Sequence, residues 1–198
     1  VDGREAEACD TQAENSIWFA LVSDEQTYRN YPFSFCLHIG YELLENEVKV
    51  SWCVENTDEK IMYFSIGAHP GFLCPIHGEK DKLGLAVLED RVLKLSDGVV
   101  LFTPGFFDDC TYMADHKQTG EVALLDREGN AYVTVCFDAP MFALWSPEGK
   151  DAPFVCIEPW YGRCDAEDFE GSIAERAYEN ALAPGGSFEA FYRMVFAV

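Results

Sequence analysis

Positively charged residues are scarce in this chain. Its 198 residues include 14 lysines and arginines against 35 aspartates and glutamates, which gives a formal net charge of −21 at pH 7. A surface this acidic repels nucleic acids, anionic membranes and, on average, phosphorylated ligands. The composition therefore favours a neutral or cationic small molecule as the ligand and argues against nucleic-acid and membrane partners.

Several sequence signals of other protein classes are also missing. No apolar run approaches the roughly 18 residues of a membrane span, and no signal-peptide pattern opens the chain. There is no glycine-rich phosphate loop, no G-x-S-x-G motif and no histidine or cysteine spacing typical of zinc sites. We therefore predict no metal site.

The cysteines argue against a secreted, disulfide-bonded protein. There are eight, an even number that would allow a disulfide framework. However, C-x-x-C is absent, and several cysteines, such as Cys36, Cys53 and Cys136, lie inside apparent strands. Such residues act as small buried hydrophobes, so we expect free thiols and a cytoplasmic protein.

Alternation of apolar and polar residues recurs along the whole chain. It is clearest in residues 33–41, 47–54, 131–137 and 190–196, which are separated by turn-rich segments. This pattern predicts an all-β, antiparallel β-sandwich of about ten strands, forming one domain over residues 1–198. Two short helical pieces are predicted, one capped by Ser23 with Gln26 and one by Ser172 with Glu175.

Two short segments contain residues suited to catalysis. His69 follows the apolar run "IMYFSI" in "SIGAHPGF", and Glu158 follows "PFVCI" in "PFVCIEPWYGRCD". We expect each to end a strand. A poorly solvated carboxylate beside Trp160 and Tyr161 would be a better base near neutral pH, and aromatic rings suit the C–H faces of a sugar. Taken singly, each residue also fits a purely structural role at a strand end.

Three segments together resemble one known family. Residues 31–72, "YPFSFCLHIGYELLENEVKVSWCVENTDEKIMYFSIGAHPGF", resemble the central segment of the aldose 1-epimerase (galactose mutarotase-like) family. "FVCIEPWYGRCD" resembles the block around its catalytic glutamate, and "LAPGGSFEAFYRMVF" resembles its closing strand. The resemblance extends from about Ile17 to the C-terminus and is strongest to the bacterial aldose-1-epimerase-like branch.

The resemblance implies a galactose mutarotase-type β-sandwich that needs no cofactor and acts on a sugar. Glu158 would take the proton from the anomeric hydroxyl, and His69 would protonate the ring oxygen. The sugar ring then opens, the C1–C2 bond rotates, and closure yields the other anomer. Asp109 would bind sugar hydroxyls, with Asp108 as the competing register.

Further contacts to the sugar are expected at the rim of the site. The candidates for substrate binding, besides Asp109, are Trp160, Tyr161, Trp145 and Asp165. No metal ligand is assigned.

The chain departs from the family pattern at its N-terminus. The family's N-terminal strands, with a histidine and an arginine that contact the sugar, are expected to be absent. That absence keeps a non-catalytic carbohydrate-binding module open as an alternative. A hexose-6-phosphate 1-epimerase fits less well with the acidic composition. An uncovered sheet edge would favour a homo-oligomer, and a fragment that folds with a partner chain is a further alternative.

Overall fold

The computed structural model of the chain describes residues 7–9, 14–74, 83–86, 99–102, 105–108, 111–126, 128–150 and 152–198, with the backbone alone for residues 7–9, 83–86 and 99–101. In the described residues the strands, in chain order, are β1 (Glu7–Cys9), β2 (Ser16–Val22), β3 (Phe35–Leu44), β4 (Glu47–Asn56), β5 (Met62–Phe64), β6 (Ile66–Gly67), β7 (Gly71–Leu73), β8 (Leu83–Ala86), β9 (Val99–Phe102), β10 (Tyr112–Ala114), β11 (Glu121–Leu125), β12 (Ala131–Phe137), β13 (Met141–Trp145), β14 (Phe154–Tyr161), β15 (Asn180–Leu182) and β16 (Ser187–Phe196). The predicted all-β, antiparallel class is confirmed. The described residues contain sixteen strands, more than the roughly ten predicted.

The chain divides into two compact units. One contains Val1–Phe64 and Cys164–Tyr192, and the other contains Ser65–Arg163 and Arg193–Val198. Strand β16 contributes its first six residues to the first unit and its last four to the second. The single domain expected over residues 1–198 stays a prediction.

The first unit is built on a row of antiparallel strands, in the order β1-β2-β3-β4-β16, and on a separate β5–β15 pair. Across β3 and β4, Leu37 pairs with Val54 and Ile39 pairs with Trp52. Val54 and Trp52 are buried, and the Trp52 ring lies 5.4 Å from that of Tyr192. The predicted alternation in these two strands is confirmed, because their paired apolar residues share one face.

A buried asparagine holds the turn that follows β4. Asn56 is 1% exposed, and its Nδ2 donates to the carbonyl oxygens of Lys60 and Leu182 at 2.9 and 2.8 Å. Its Oδ1 accepts a hydrogen bond from the Asp58 backbone N–H at 2.9 Å. All of these partners lie in the first unit, so the side chain fixes the turn and ties it to β15.

Both predicted helical pieces are present but short. The helix α1 (Glu25–Asn30) is capped by Asp24 rather than by the predicted Ser23, because the Asp24 carboxylate accepts from the N–H groups of Gln26 and Thr27. The second piece is a single 3-10 turn (Ile173–Glu175). As predicted, Ser172 and Glu175 interact there: the Glu175 carboxylate accepts from the Ser172 N–H and hydroxyl.

The second unit contains the row β16-β12-β11-β8-β9 and a second sheet in the order β10-β13-β14-β6, with β7 also paired to β14. Phe137 of β12 meets Phe142 of β13 with ring centroids 5.6 Å apart. Leu144, Val155 and Ile157, from β13 and β14, are at most 1% exposed. Alternation along β14 therefore buries one face in this core and leaves Phe154, Cys156, Glu158 and Trp160 on the other.

Two further expectations concern the thiols and the membrane. The six cysteines with described side chains are all free, as predicted. Within the described residues, no helix has both the length and the apolarity that crossing a membrane requires.

Candidate active site

Glu158 lies in the middle of β14, not at its end. The prediction that the strand stops at Glu158 is wrong, because pairing continues through Trp160 and Tyr161 to β6. On the other side, Glu158 pairs with Ala143 of β13. The Glu158 carboxylate therefore projects from a strand that is paired on both edges, and Glu158 is 2% exposed.

His69 lies directly across from Glu158. Gly67 pairs with Trp160 and Gly71 pairs with Cys156, so the same register runs through the three residues between β6 and β7. The N–H of Ala68 donates to the Pro159 carbonyl at 3.0 Å, in the same register. His69 thus bridges two short strands rather than ending one, which corrects the prediction from its apolar flank.

Two prolines shape the backbone around this pair. Pro159 and Pro70 have no N–H, so the pairs that flank His69 each keep only one hydrogen bond: Ala68 N–H to Pro159 O, and Ile157 N–H to Pro70 O at 3.3 Å. These flanking pairs are the hydrogen-bonded positions of the antiparallel ladder. His69 and Glu158 therefore form the non-hydrogen-bonded pair, in which side chains come closest together.

Two glycines make room beside the histidine. Gly67 and Gly71 lie two residues on either side of His69 and share its face of the sheet. A Cβ added to Gly67 would lie 2.7 Å from Cδ1 of Trp160, and one added to Gly71 would lie 3.3 Å from Cδ2 of Phe154. A larger residue at Gly67 would collide with the Trp160 ring, whereas a Cβ at Gly71 would make only a tight contact.

Strand β13 supplies the other wall of the site. Ala143, which pairs with Glu158, is small and fully buried, so it places no bulky side chain against the carboxylate. Trp145 pairs with Cys156 and therefore points to the same face. Its ring meets the His69 imidazole edge to face, with centroids 5.3 Å apart. The predicted rim residue Trp145 thus contacts His69 directly.

The Glu158 carboxylate carries an unsatisfied oxygen. Its Oε1 lies 3.2 Å from Nε2 of His69, but without the alignment of a hydrogen bond, so among the described residues this buried atom has no hydrogen-bond partner. Burial raises the pKa of Glu158; the His69 charge and a hydrogen bond from the Trp160 side chain act in the opposite direction. The His69 side chain remains 61% exposed, which opens the pair to solvent.

Cys156 is a member of the site to which the sequence analysis gave no role. Its sulfur, a ring nitrogen of His69 and a carboxylate oxygen of Glu158 all lie within 4.8 Å of one another. Burial and the Glu158 charge raise its pKa to about 11. Imidazole, thiol and carboxylate are donors that suit Zn²⁺, so these three residues could hold a divalent cation. Strand alternation alone placed Cys156 on this face.

The two aromatic residues after Glu158 point to opposite faces. Trp160 shares the face of Glu158 and donates to its carboxylate. Tyr161 pairs with Ile66 and lies on the other face, where burial and the Asp138 charge raise its pKa to about 12. The structure therefore brings Trp160, but not Tyr161, to the His69–Glu158 pair.

The predicted aspartates have hydrogen-bond partners of their own or lie outside the described residues. Asp109 is outside them. Asp108 is exposed, and its Oδ1 accepts a hydrogen bond from the Gly149 N–H at 3.0 Å. Asp165 belongs to the first unit, where both of its carboxylate oxygens accept from Arg176, at 2.6 and 2.9 Å. Asp165 thus forms an ion pair with Arg176, and its role in sugar binding stays a prediction.

Comparison with known proteins gives consistent matches. The family model described as "Aldose 1-epimerase" matches residues 5–167. The chromosomal and plasmid forms of the protein LacX from Lactococcus lactis subsp. lactis are each 30% identical over 186 residues, covering 82% of this chain and 62% of theirs. The chain thus spans less than two thirds of the length of these curated relatives.

Solved structures agree in fold. The galactose mutarotase related enzyme from Lactobacillus acidophilus superposes with a TM-score of 0.82 at 28% identity, over 98% of this chain and 72% of that one. A galactose mutarotase-like protein from Lactobacillus casei gives a TM-score of 0.89 at 19% identity, over 98% and 73% of the two chains. The fold is of the galactose mutarotase type, and the chain belongs to the aldose 1-epimerase family.

Proposed function

We propose that this protein interconverts the α and β anomers of a neutral aldose, with Glu158 as general base and His69 as general acid. The observation that carries the proposal is the buried Oε1 of Glu158, which faces His69 and has no hydrogen-bond partner among the described residues. A buried acceptor left unsatisfied costs free energy and is characteristic of functional sites. The anomeric hydroxyl of a sugar would supply the missing donor.

The proposed proton transfers follow from the chemistry of the two groups. Burial raises the pKa of Glu158 and so makes its carboxylate a stronger base than an exposed glutamate. Glu158 takes the proton from the anomeric hydroxyl while His69 donates a proton to the ring oxygen, which breaks the bond between C1 and that oxygen. After rotation about C1–C2, both transfers reverse and the ring closes to the other anomer.

The separation of the two groups suits this reaction. The anomeric oxygen and the ring oxygen are bonded to the same carbon, so an acid and a base that serve both must lie close together. The 3.2 Å between Nε2 and Oε1 meets this requirement. A positioned acid and a positioned base each contribute on the order of 10²–10⁴-fold to such a rate.

The surroundings support a neutral sugar as substrate. The partly exposed rings of Trp145 and Trp160 lie on the same face as Glu158 and can stack on the C–H surface of a pyranose. The formal charge of −21 disfavours a phosphorylated sugar, which would need clustered basic residues.

The test is anomer exchange of α-D-glucose and α-D-galactose, followed by exchange NMR spectroscopy. We expect Glu158→Gln to lower the catalysed rate by on the order of 10²–10⁴-fold. Glu128→Gln, at an exposed turn, is the matched control and should leave the rate unchanged. Exchange that persists in folded Glu158→Gln would refute the mechanism. Saturable sugar binding without faster exchange by the wild-type chain would assign it to carbohydrate binding instead.

A further inference from the structure

A second cluster of reactive side chains lies on β3 and β4, in the first unit. Cys36 pairs with Glu55, and His38 pairs with Cys53, so all four side chains project from the same face of the two strands. This face is opposite to the one that carries the buried Val54. The cluster contains two thiols, one imidazole and one carboxylate, none of which takes part in the proposed sugar chemistry.

The donor atoms of this cluster are close together. Those of His38, Cys53 and Glu55 all lie within 4.8 Å of one another. The thiol of Cys36 lies 3.7 Å from Nε2 of His38. In a tetrahedral zinc site, with bonds of about 2.0–2.3 Å, neighbouring ligand atoms are about 3.3–3.8 Å apart. The donor atoms of His38, Cys53 and Glu55 are therefore close enough to approach one ion, and the Cys36 thiol lies next to the imidazole.

The location of the two cysteines is unusual for ordinary packing. Free cysteines belong to the most buried residue types, yet both of these thiols lie on the outward face of the strand pair and are half-buried. They are also free rather than joined in a disulfide. An outward cluster of two thiols and an imidazole is typical of a metal site.

The local charge favours a cation. The carboxylates of Glu55 and Glu189 act electrostatically on the Cys53 thiol, and that of Glu55 also acts on Cys36. A bound cation is attracted by the same carboxylates and replaces the two thiol protons, which are released to the solvent.

We propose that His38, Cys53 and Glu55, with Cys36 as the fourth ligand, form a Zn²⁺ site that joins β3 to β4. Two soft thiolates with an imidazole and a carboxylate select Zn²⁺ over Mg²⁺ or Ca²⁺, which prefer oxygen ligands alone. The site is structural, because it would be filled entirely by protein ligands. It does not depend on the proposed sugar chemistry, whose residues belong to the second unit.

Metal titration tests the proposal directly. All chains would carry His69→Gln, because His69, Cys156 and Glu158 form the other group of donors. Reduced protein would be titrated with Zn²⁺ by calorimetry and with Co²⁺ by visible absorption, where thiolate-to-cobalt charge transfer reports bound cysteine. We expect one ion per chain with a Kd below about 1 µM.

The ligand variants and their control separate this site from adventitious binding. Cys53→Ser and His38→Gln should each weaken binding by at least about 100-fold. Cys36→Ser should weaken it and remove part of the charge-transfer band. Cys164→Ser, at an exposed free thiol of the same unit, should change nothing. Unchanged binding in Cys53→Ser, or an equal loss in Cys164→Ser, would overturn the proposal.

A second measurement needs no ligand variant. Alkylation of the reduced His69→Gln chain would be followed peptide by peptide with mass spectrometry. One equivalent of Zn²⁺ should slow the modification of Cys36 and Cys53 at least about tenfold and leave that of Cys164 unchanged. Equal rates with and without Zn²⁺ at Cys36 and Cys53 would also reject the site.

Discussion

Replacing Gly67 by alanine tests how the backbone beside His69 positions the Glu158 carboxylate. The new Cβ would lie 2.7 Å from Cδ1 of Trp160 and 3.1 Å from the carbonyl oxygen of Pro159. Cβ contacts below 3.0 Å are essentially never observed, so the Trp160 ring must move. That ring is the one that donates a hydrogen bond to Glu158.

The expected loss of stability can be bounded. Inserting a methyl group into a packed site costs about 1–3 kcal/mol. Replacing glycine by alanine also lowers the conformational entropy of the unfolded chain, which stabilises the folded protein by about 0.4–1 kcal/mol. We therefore expect Gly67→Ala to lower the free energy of unfolding by at most about 2.6 kcal/mol, measured by urea denaturation.

Gly71→Ala is the matched control on the other side of His69. Its Cβ would lie 3.3 Å from Cδ2 of Phe154 and 3.4 Å from the sulfur of Cys156, close to ordinary contact. The small steric cost of this Cβ and the stabilisation from the lower entropy of the unfolded chain nearly cancel. We therefore expect the free energy of unfolding to change by less than about 0.5 kcal/mol. The two alanine variants thus differ in sterics but not in chemistry.

The pH dependence gives a sharper readout than stability. The Trp160 hydrogen bond lowers the pKa of Glu158, so its loss raises that pKa further. A general base with a higher pKa is protonated at higher pH, so the acidic limb of kcat/KM for anomer exchange moves to higher pH in Gly67→Ala. Gly71→Ala should leave the limb in place. An unchanged limb in Gly67→Ala, together with wild-type stability, would refute the role assigned to Trp160.

Two further predictions concern stability. Because burial raises the pKa of Glu158 above its value in the unfolded chain, its ionisation destabilises the fold as pH rises through the folded-state pKa. Glu158→Gln should therefore raise Tm near neutral pH, and the increase should disappear in acid. The control Glu128→Gln should not change Tm. A Glu158→Gln chain that is less stable than wild type at neutral pH would contradict the predicted direction of the effect. Asn56→Ala removes three hydrogen bonds from a buried side chain and should cost about 2–4 kcal/mol in denaturant unfolding, against little change for Asn30→Ala at an exposed helix end. Equal effects of the two alanine substitutions would argue against the Asn56 contacts.

Much of the local structure was predictable because strand periodicity is a local property. Alternation in residues 33–41 and 47–54 identified the buried face of β3 and β4, and it placed Cys156 on the same side as Glu158. The prediction of where β14 ends failed because pairing with a neighbouring strand continued past the local signal for a strand end. Glu158, followed by Pro159, is predicted to end its strand, but the hydrogen bond from Ala68 and the pairing with β6 extend β14 to Tyr161.

The candidate site was predictable only in part. His69 and Glu158 were chosen from their flanking residues and from the family resemblance, but their separation in sequence gives no distance. The roles of Asp108, Asp109 and Asp165 in sugar binding stay predictions, as do the catalytic roles themselves. The ion pair of Asp165 with Arg176 joins residues eleven positions apart across a loop. A contact of this kind is not predicted by strand or helix periodicity.

The sequence by itself determined the all-β class, the faces of its strands and the acidic surface, since each depends on composition or on a period of two residues. Only the tertiary structure decided which strands are neighbours and in what register. Register placed His69 opposite Glu158 in a non-hydrogen-bonded pair, and it brought Cys36 and His38 beside Cys53 and Glu55. The physical reason is that the register depends on contacts between segments far apart in the chain. The sequence of one segment does not specify the energies of those contacts.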